Sequence, residues 1–420
     1  MGTEALNVAK VQGNWGRKED NPAPLYFMVV IFLLCTVVSV VAAKKYLLSA
    51  PSQTQPRQSI PPVASSDSTN QPESEEEQQR QEIEAIVQGM TLEQKVGLLF
   101  MVRDNADSPF TDIVSNTHAG GVVLFAEDFK GKTADQVREM IDQLQNASDG
   151  KMLVAVDEEG GTVVRVSRNT RLRSSRFQSP QALFKAGGYE LIESDTREKC
   201  ELLHSLHINM NLAPVADVCE KSSGFIYQRS FGKDAQATSE YVTTVVRTMN
   251  EYPVASCVKH FPGYGDSEGD THEKIVVNEK TLDELFSRDL IPFVNAIRYG
   301  ADAIMLTHTV IKEVDSETPG SLSPDVVSLM RETMGFEGVI ISDGLEMGAI
   351  NEYSGGDSGK VCVLAVNAGV DILCAPKNPL KDYQTVLSAV QSGEIAESRV
   401  DESVMRIVKL KMRLGLYENT

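Results

Sequence analysis

The stretch Cys257-Val258-Lys259-His260-Phe261-Pro262-Gly263-Tyr264-Gly265-Asp266-Ser267-Glu268-Gly269-Asp270-Thr271-His272 is where the chain declares its architecture. It continues an apolar, β-type run that begins at Val254 and ends on Lys259 and His260. Pro262-Gly263 then breaks the strand. A glycine-rich loop comes next and delivers Asp270 and His272, one residue apart. A buried strand that stops on polar side chains and hands over to a loop is how a rigid scaffold presents chemistry. A lone His would read as an incidental surface residue. Here Lys259, His260 and an Asp/His pair crowd together with several glycines, which favours a site. The loop Gly263–Thr271 is expected to be mobile, because it is glycine-rich and lacks apolar anchors.

The same rhythm extends in both directions. From Glu82 to the C-terminus, short apolar runs alternate with amphipathic helical stretches. The expected strands are Leu98–Val102, Gly121–Phe125, Met152–Val156, Asn209–Leu212, Ala255–Val258, Ala303–Leu306, Val339–Ile341 and Asp371–Cys374. Helical periodicity marks Ala134–Ala147, Ala237–Asn250, Leu282–Tyr299 and Pro324–Met334. Eight buried strands alternating with helices predict an α/β fold, a (β/α)₈ TIM-type barrel. A doubly wound open sheet is the alternative, since periodicity alone does not show closure. Thr91–Val102 also admits a reading as one helix capped at Thr91.

The residues at the strand ends are informative. Met152–Val156 runs into Asp157-Glu158-Glu159-Gly160-Gly161, Ala255–Val258 into Lys259-His260, Ala303–Leu306 into Thr307-His308, and Val339–Ile341 into Ser342-Asp343-Gly344. In a barrel these positions share the C-terminal face, where such folds keep their chemistry. Any one of them could be a helix cap, but four in register argue for a common site. Carboxylates and histidines with Arg165, Arg229 and Lys259 fit glycoside hydrolysis or a metal-dependent hydrolase. Lys259 beside His260 disfavours a metal, and the six cysteines lack metal-type spacing, so neither metal nor cofactor is expected. Reduced, buried thiols are the expected state, with a pairing among Cys200, Cys219 and Cys362 left open.

Ahead of the barrel the composition changes. Residues 1–24 are polar and form a short tail, expected on the cytoplasmic side. Leu25–Ala43 is an uncharged apolar run closed by Lys44-Lys45. Its length is close to the ~20 residues that cross a bilayer, and the run exceeds a signal-peptide core, so it is expected to be an uncleaved transmembrane anchor. Residues 44–81 are rich in Ser, Gln, Pro and Glu and are expected to be a disordered linker. The catalytic domain is expected over 82–420, held outside the cytoplasm by a single-pass anchor. The formal net charge of −19 argues against a nucleic-acid partner.

Taken together, the motifs resemble glycoside hydrolase family 3, and specifically its β-N-acetylglucosaminidase (β-hexosaminidase) branch. Lys-His-Phe-Pro-Gly-Tyr-Gly (259–265) with Asp270-Thr271-His272 is similar to that branch's signature. Asp157-Glu158-Glu159-Gly160-Gly161 with Val164-Arg165 resembles the family's Asp-x-Glu-Gly-Gly segment. Asn209–Asp217, Arg229-Ser230-Phe231-Gly232, Gly335–Asp343 and the closing helix Val404–Tyr417 resemble further family blocks. The resemblance covers roughly residues 82–420.

The resemblance implies a retaining double displacement on an amino-sugar glycan or muropeptide. It implies Asp343 as nucleophile, His272 as acid/base and Asp270 as the carboxylate that orients His272. It further implies that Asp157, Arg165, Arg229, Lys259 and His260 grip sugar hydroxyls; the structural alternative is an ion-pair network in which Asp157 pairs with Arg165. Asp217 reads as structural. Many relatives carry a second domain that can supply an acid; this chain stops at Thr420, so the barrel is expected to supply its own. Tyr264 stands where members of this branch often carry His, and Gly344 where many carry a second Asp. His308 is expected to line the pocket or to cap a strand end. A β-glucosidase or β-xylosidase of the same family, and a catalytically silent glycan-binding protein tethered to a membrane, are the competing readings. The Asp270/His272 pair argues against the first, and the presence of Asp343, Asp270 and His272 against the second.

Overall fold

A computed structural model describes residues 75–105, 108–148, 151–265 and 275–417. Eight parallel strands form one sheet: β1 (Phe100–Val102), β2 (Gly121–Leu124), β3 (Leu153–Val156), β4 (Met210–Asn211), β5 (Ala255–Phe261), β6 (Ala303–Leu306), β7 (Val339–Ser342) and β8 (Leu373–Cys374). Strands β1 to β7 are neighbours in sequence order, and β8 returns to β1 through Phe100–Leu373 and Met101–Cys374. β7 and β8 meet at the parallel bridge Ile341–Ile372, where Ser342 N–H donates to the Ile372 carbonyl at 3.0 Å. The sheet thus curls round on itself as a barrel, not an open doubly wound sheet. Its strands are buried on both faces, by the helices outside and by one another inside, which is why they read as unbroken apolar runs.

Local chemistry sets the element ends. Thr133 caps the helix Ala134–Ala147 by a reciprocal capping box with Gln136, and those bounds match the expectation. Thr91 and Gln94 do the same for Leu92–Leu98. That helix consumes the start of the strand expected at Leu98, so β1 begins only at Phe100. The helix expected over Leu282–Tyr299 is interrupted by a π-turn at Leu285–Asp289 and restarts at Ile291–Arg298. Pro292 sits in the first turn of the restart, where its missing N–H goes unused. Pro324–Met334 is α-helical over Pro324–Ser328 and ends in a π-turn at Leu329–Thr333.

The largest difference is in β5. The strand does not stop at Val258 but runs through Lys259 and His260 to Phe261. Against β6, Lys259 pairs with Met305 and Phe261 with Leu306, so His260 is an extra residue in the ladder. Such a bulge re-aims side chains that strict alternation would send to opposite faces.

Helix Glu75–Gln88 buries Ile83 and Val87 and lies against the closing helix Glu397–Arg413. It begins ahead of residue 82, and the closing helix begins well before the expected Val404. At the opposite end of the barrel from the polar rim, the fully buried Asp371 gathers Arg331 at 2.6 Å, Arg399 at 3.0 Å and Arg406 at 3.1 Å. It also accepts from Ile340 N–H at 2.9 Å, tying β7 to the outer helices. Packing at this face serves stability rather than chemistry. Cys200, Cys219, Cys257, Cys362 and Cys374 are buried and form no disulfide among the described residues, so the pairing left open is not formed. Leu25–Ala43 lies outside the described residues. Among the described residues no helix is long and apolar enough to cross a membrane.

Candidate active site

The site is built from the C-terminal ends of β3, β5 and β7. After β3 the chain carries three acids in a row, and period-two alternation separates their jobs. Glu158 is fully buried and turns away from the rim. Its carboxylate accepts the backbone N–H groups of Arg165 at 2.8 Å, Val166 at 2.7 Å and Ser167 at 3.2 Å, and the Ser167 hydroxyl as well. It fixes the loop that presents Arg165. Asp157 and Glu159 face the opposite way, toward Lys259. The turn that allows this needs glycine: Gly160 and Gly161 have φ of 101° and 67°, and a Cβ on Gly160 would lie 2.2 Å from the Gln178 carbonyl oxygen.

Lys259 is the hub. Its ammonium donates to Asp157 Oδ1 at 2.6 Å and lies 2.7 Å from Glu159 Oε1. Burial alone would depress its pKa, but Asp157 and Glu159 outweigh that and hold it above the ordinary lysine value. Arg229 grips Glu159 with two parallel bonds, at 3.0 Å and 2.7 Å. Burial works to raise the Glu159 pKa, and Arg229 and Lys259 overcome it, so this carboxyl stays well below the usual carboxylate range. Arg165 reaches Asp157 Oδ2 only at 3.4 Å and lies over the Phe125 ring at 5.5 Å. Its Nε–H is buried and finds no partner among the described residues, leaving a donor available to an incoming oxygen.

His260 has its protonation state written into its partners. Arg229 Nη2 lies 3.2 Å from His260 Nε2, and a guanidinium can only donate. Nε2 is therefore the acceptor, and the ring proton sits on Nδ1, which donates to Asp217 Oδ2 at 2.8 Å. Asp217 is fully buried and also accepts from the backbone N–H groups of His260 at 3.1 Å and Tyr264 at 2.7 Å. It is the structural residue the sequence suggests. Tyr264 packs edge-on against His260 with ring centroids 5.2 Å apart.

Asp343 comes directly after Ser342, the last residue of β7. Burial works to raise its pKa, but the electrostatic influence of His260 and His308, the Gly344 N–H and Lys259 bring it below the ordinary aspartate value. At neutral pH it is an anion beside a cationic wall. Gly344 N–H donates to Asp343 Oδ1 at 2.8 Å. Among the described residues no group of three His, Cys, Asp or Glu side chains is arranged to hold a metal ion.

Residues 91–410 match the Glycosyl hydrolase family 3 N terminal domain. The chain belongs to glycoside hydrolase family 3. A beta-hexosaminidase of Xanthomonas campestris pv. campestris is 32% identical over 281 residues, covering 66% of this chain and 83% of that one. Among solved structures, a glycoside hydrolase family 3 beta-N-acetylglucosaminidase from Paenibacillus sp. superposes with a TM-score of 0.73 at 32% identity, covering 79% of this chain and 64% of that one. A beta-N-acetylhexosaminidase from Beutenbergia cavernae superposes with a TM-score of 0.68 at 25% identity, covering 77% of this chain and 99% of that one. As a member of this family, the protein is a glycoside hydrolase.

Against the family expectations, the structure brings Asp157, Arg165, Arg229, Lys259 and His260 into one contiguous cluster, with Asp343 at the adjoining rim position. The ion-pair network offered as their structural alternative is also present, since these groups are bonded to one another. Asp270 and His272 lie outside the described residues. One contributor went unassigned at the sequence level. Glu159 is the common partner of Lys259 and Arg229; alternation from Asp157 was the signal that could have found it. His308 sits just past the end of β6, buried, bonded to Gly344 and Ser321 and within electrostatic reach of Asp343. The two departures from the branch pattern are accommodated, Tyr264 by packing on His260 and Gly344 by donating to Asp343.

Proposed function

We propose that this glycoside hydrolase is a retaining exo-β-N-acetylglucosaminidase that removes terminal β-linked N-acetylhexosamine from cell-wall-type or related glycans. The observation that carries the reading is an ionised Asp343 facing a dense charged wall of Lys259, Asp157, Glu159 and Arg229. Such a wall suits the hydroxyl-rich end of a sugar chain, and the names of the relatives supply the amino sugar. An Asp343 carboxylate oxygen attacks the anomeric carbon as the glycosidic C–O bond breaks, and His272 gives its proton to the leaving oxygen. Water then attacks the same carbon, His272 takes the water's proton, and the glycosyl–aspartate ester breaks to free Asp343. Asp270 orients His272 and stabilises the imidazolium. An imidazole with an unperturbed pKa near 6.5 gives and takes a proton readily near neutrality.

The test compares the chromogenic N-acetyl-β-glucosaminide with the matching β-glucoside, using the 420-residue chain and its His272→Ala variant. We expect strong preference for the acetylated sugar. The variant should lose roughly 10²–10⁴-fold on a poor leaving group and much less on an activated one. Preference for the plain glucoside would move the activity to another branch of the family. No turnover on either would turn the protein into a glycan binder.

The same reading puts the barrel outside the cytoplasm on the anchor Leu25–Ala43, supported by the length of that run and its lack of charge. Alkaline carbonate washing of membranes should leave the chain in the pellet. Full release into the supernatant would overturn the anchor.

A further inference from the structure

His308 lies beyond the end of β6 and is fully buried. Its Nε2 is 3.0 Å from the Gly344 carbonyl oxygen, and its Nδ1 is 2.7 Å from Ser321 Oγ. A carbonyl can only accept, so Nε2 carries the proton. The Ser321 hydroxyl completes the arrangement at Nδ1. Ser321 is itself fully buried and is held by its N–H to the Thr307 carbonyl at 3.0 Å. The ring is thus held at both nitrogens, with its Nε2–H aimed at Gly344 and Nδ1 bonded to an anchored neighbour.

What His308 holds is the residue next to Asp343. Gly344 has no side chain to fix its backbone, and both of its peptide planes matter. Its N–H points at Asp343 Oδ1, 2.8 Å away. Its carbonyl is the group that His308 clamps. On either side, Asp343 N–H donates to the Leu306 carbonyl at 2.9 Å and Leu345 N–H to the Cys374 carbonyl at 2.9 Å. The flanks are tied to β6 and β8 by the main chain, while at Gly344 the tie is a side chain.

We propose that His308 is a positioning residue for the reaction: the imidazole, anchored at both nitrogens, clamps the Gly344 carbonyl and so aims the Asp343 carboxylate at the anomeric carbon. This rests on Asp343 being the nucleophile. The role predicts a defect in bond formation that is independent of the leaving group and separate from sugar affinity.

The test uses His308→Leu and His308→Gln in the 420-residue chain, with Asp343→Asn as control. Glycosylation rates are read from the burst with a dinitrophenyl N-acetyl-β-glucosaminide and from turnover of an unactivated substrate. A misaimed nucleophile costs on the order of 10²-fold, so His308→Leu should lose about that on both substrates, with unchanged inhibition by free N-acetylglucosamine. His308→Gln should recover most of the rate, because its amide N–H can still donate to Gly344. If His308→Leu does not fold, Ser321→Ala carries the test: it releases the Nδ1 side of the ring and should slow the burst about tenfold, while the parental burst rate would overturn the proposal. A folded His308→Leu at the parental rate beside a dead Asp343→Asn would overturn the proposal and leave the nucleophile standing. Turnover by both would overturn the two together. Loss of N-acetylglucosamine affinity alone would make His308 a pocket determinant and overturn the positioning role.

Discussion

Asp343→Asn should lower turnover by roughly 10⁴-fold or more, the scale seen when a residue of a concerted catalytic unit is removed. The amide keeps the shape and the Gly344 contact but removes the anion that its cationic neighbours maintain against burial. On the proposed mechanism no covalent intermediate then forms, and the sugar should remain bound without reacting. The smaller Asp343→Ala adds a chemical readout. Azide can enter the vacated space, attack the anomeric carbon from the same side and expel an activated leaving group, giving an α-linked glycosyl azide. Appearance of that α-product would identify Asp343 as the nucleophile. A β-linked product, or an Asp343→Asn protein that still turns over, would remove it from that role.

Glu159→Gln is the second large effect, and it strikes stability as well as activity. Glu159 is the buried anion between Arg229 and Lys259. Neutralising it leaves two buried cations with less compensation, and breaking a buried pair in this way costs about 3–5 kcal/mol. Urea unfolding at pH 7 should show that loss, and the same variant should bind sugar poorly because the wall loses its register. The pH dependence has a definite sign. Glu159 titrates below its ordinary value of 4.5, so its contribution is fully present above that value and is lost as the pH falls through and below it. The gap between parent and variant should therefore be full at pH 7 and narrow on acidification below about 4.5. A gap that is absent at pH 7, or that widens in acid, would show that the Arg229–Glu159–Lys259 cluster does not hold the fold.

Particular residues explain what could be read ahead of the structure. Ala303–Leu306 appeared with its expected bounds because a strand buried on both faces leaves an unmistakable apolar run between polar neighbours. Lys259 and Asp343 stood out because a charge at the end of such a run has few structural reasons to be there. The bulge at His260 was not legible: it exists in the pairing of β5 with β6, and neither strand alone encodes it. The same limit hid His308. Its meaning depends on Ser321, thirteen positions away, and on Gly344, thirty-six away, contacts that no local pattern announces. Glu159 was a different kind of miss. Three adjacent acids look alike in sequence, and only the alternation past β3 sorts the partner of Lys259 from the brace of the Arg165 loop.

Helix Glu75–Gln88 has a practical bearing on how the protein is handled. Because its Ile83 and Val87 are seated against the barrel beside the last helix, the outer ring ends in a seam between this helix and the closing one. A fragment trimmed at residue 82 keeps both apolar side chains but strips away the turns of helix that hold them in place. The exposed strip on Glu397–Arg413 would then be a sticky flank prone to self-association and a foothold for proteases. Trimming ahead of Glu75 keeps the seam closed, so the choice of that boundary decides whether a soluble preparation behaves as single molecules or as clumps.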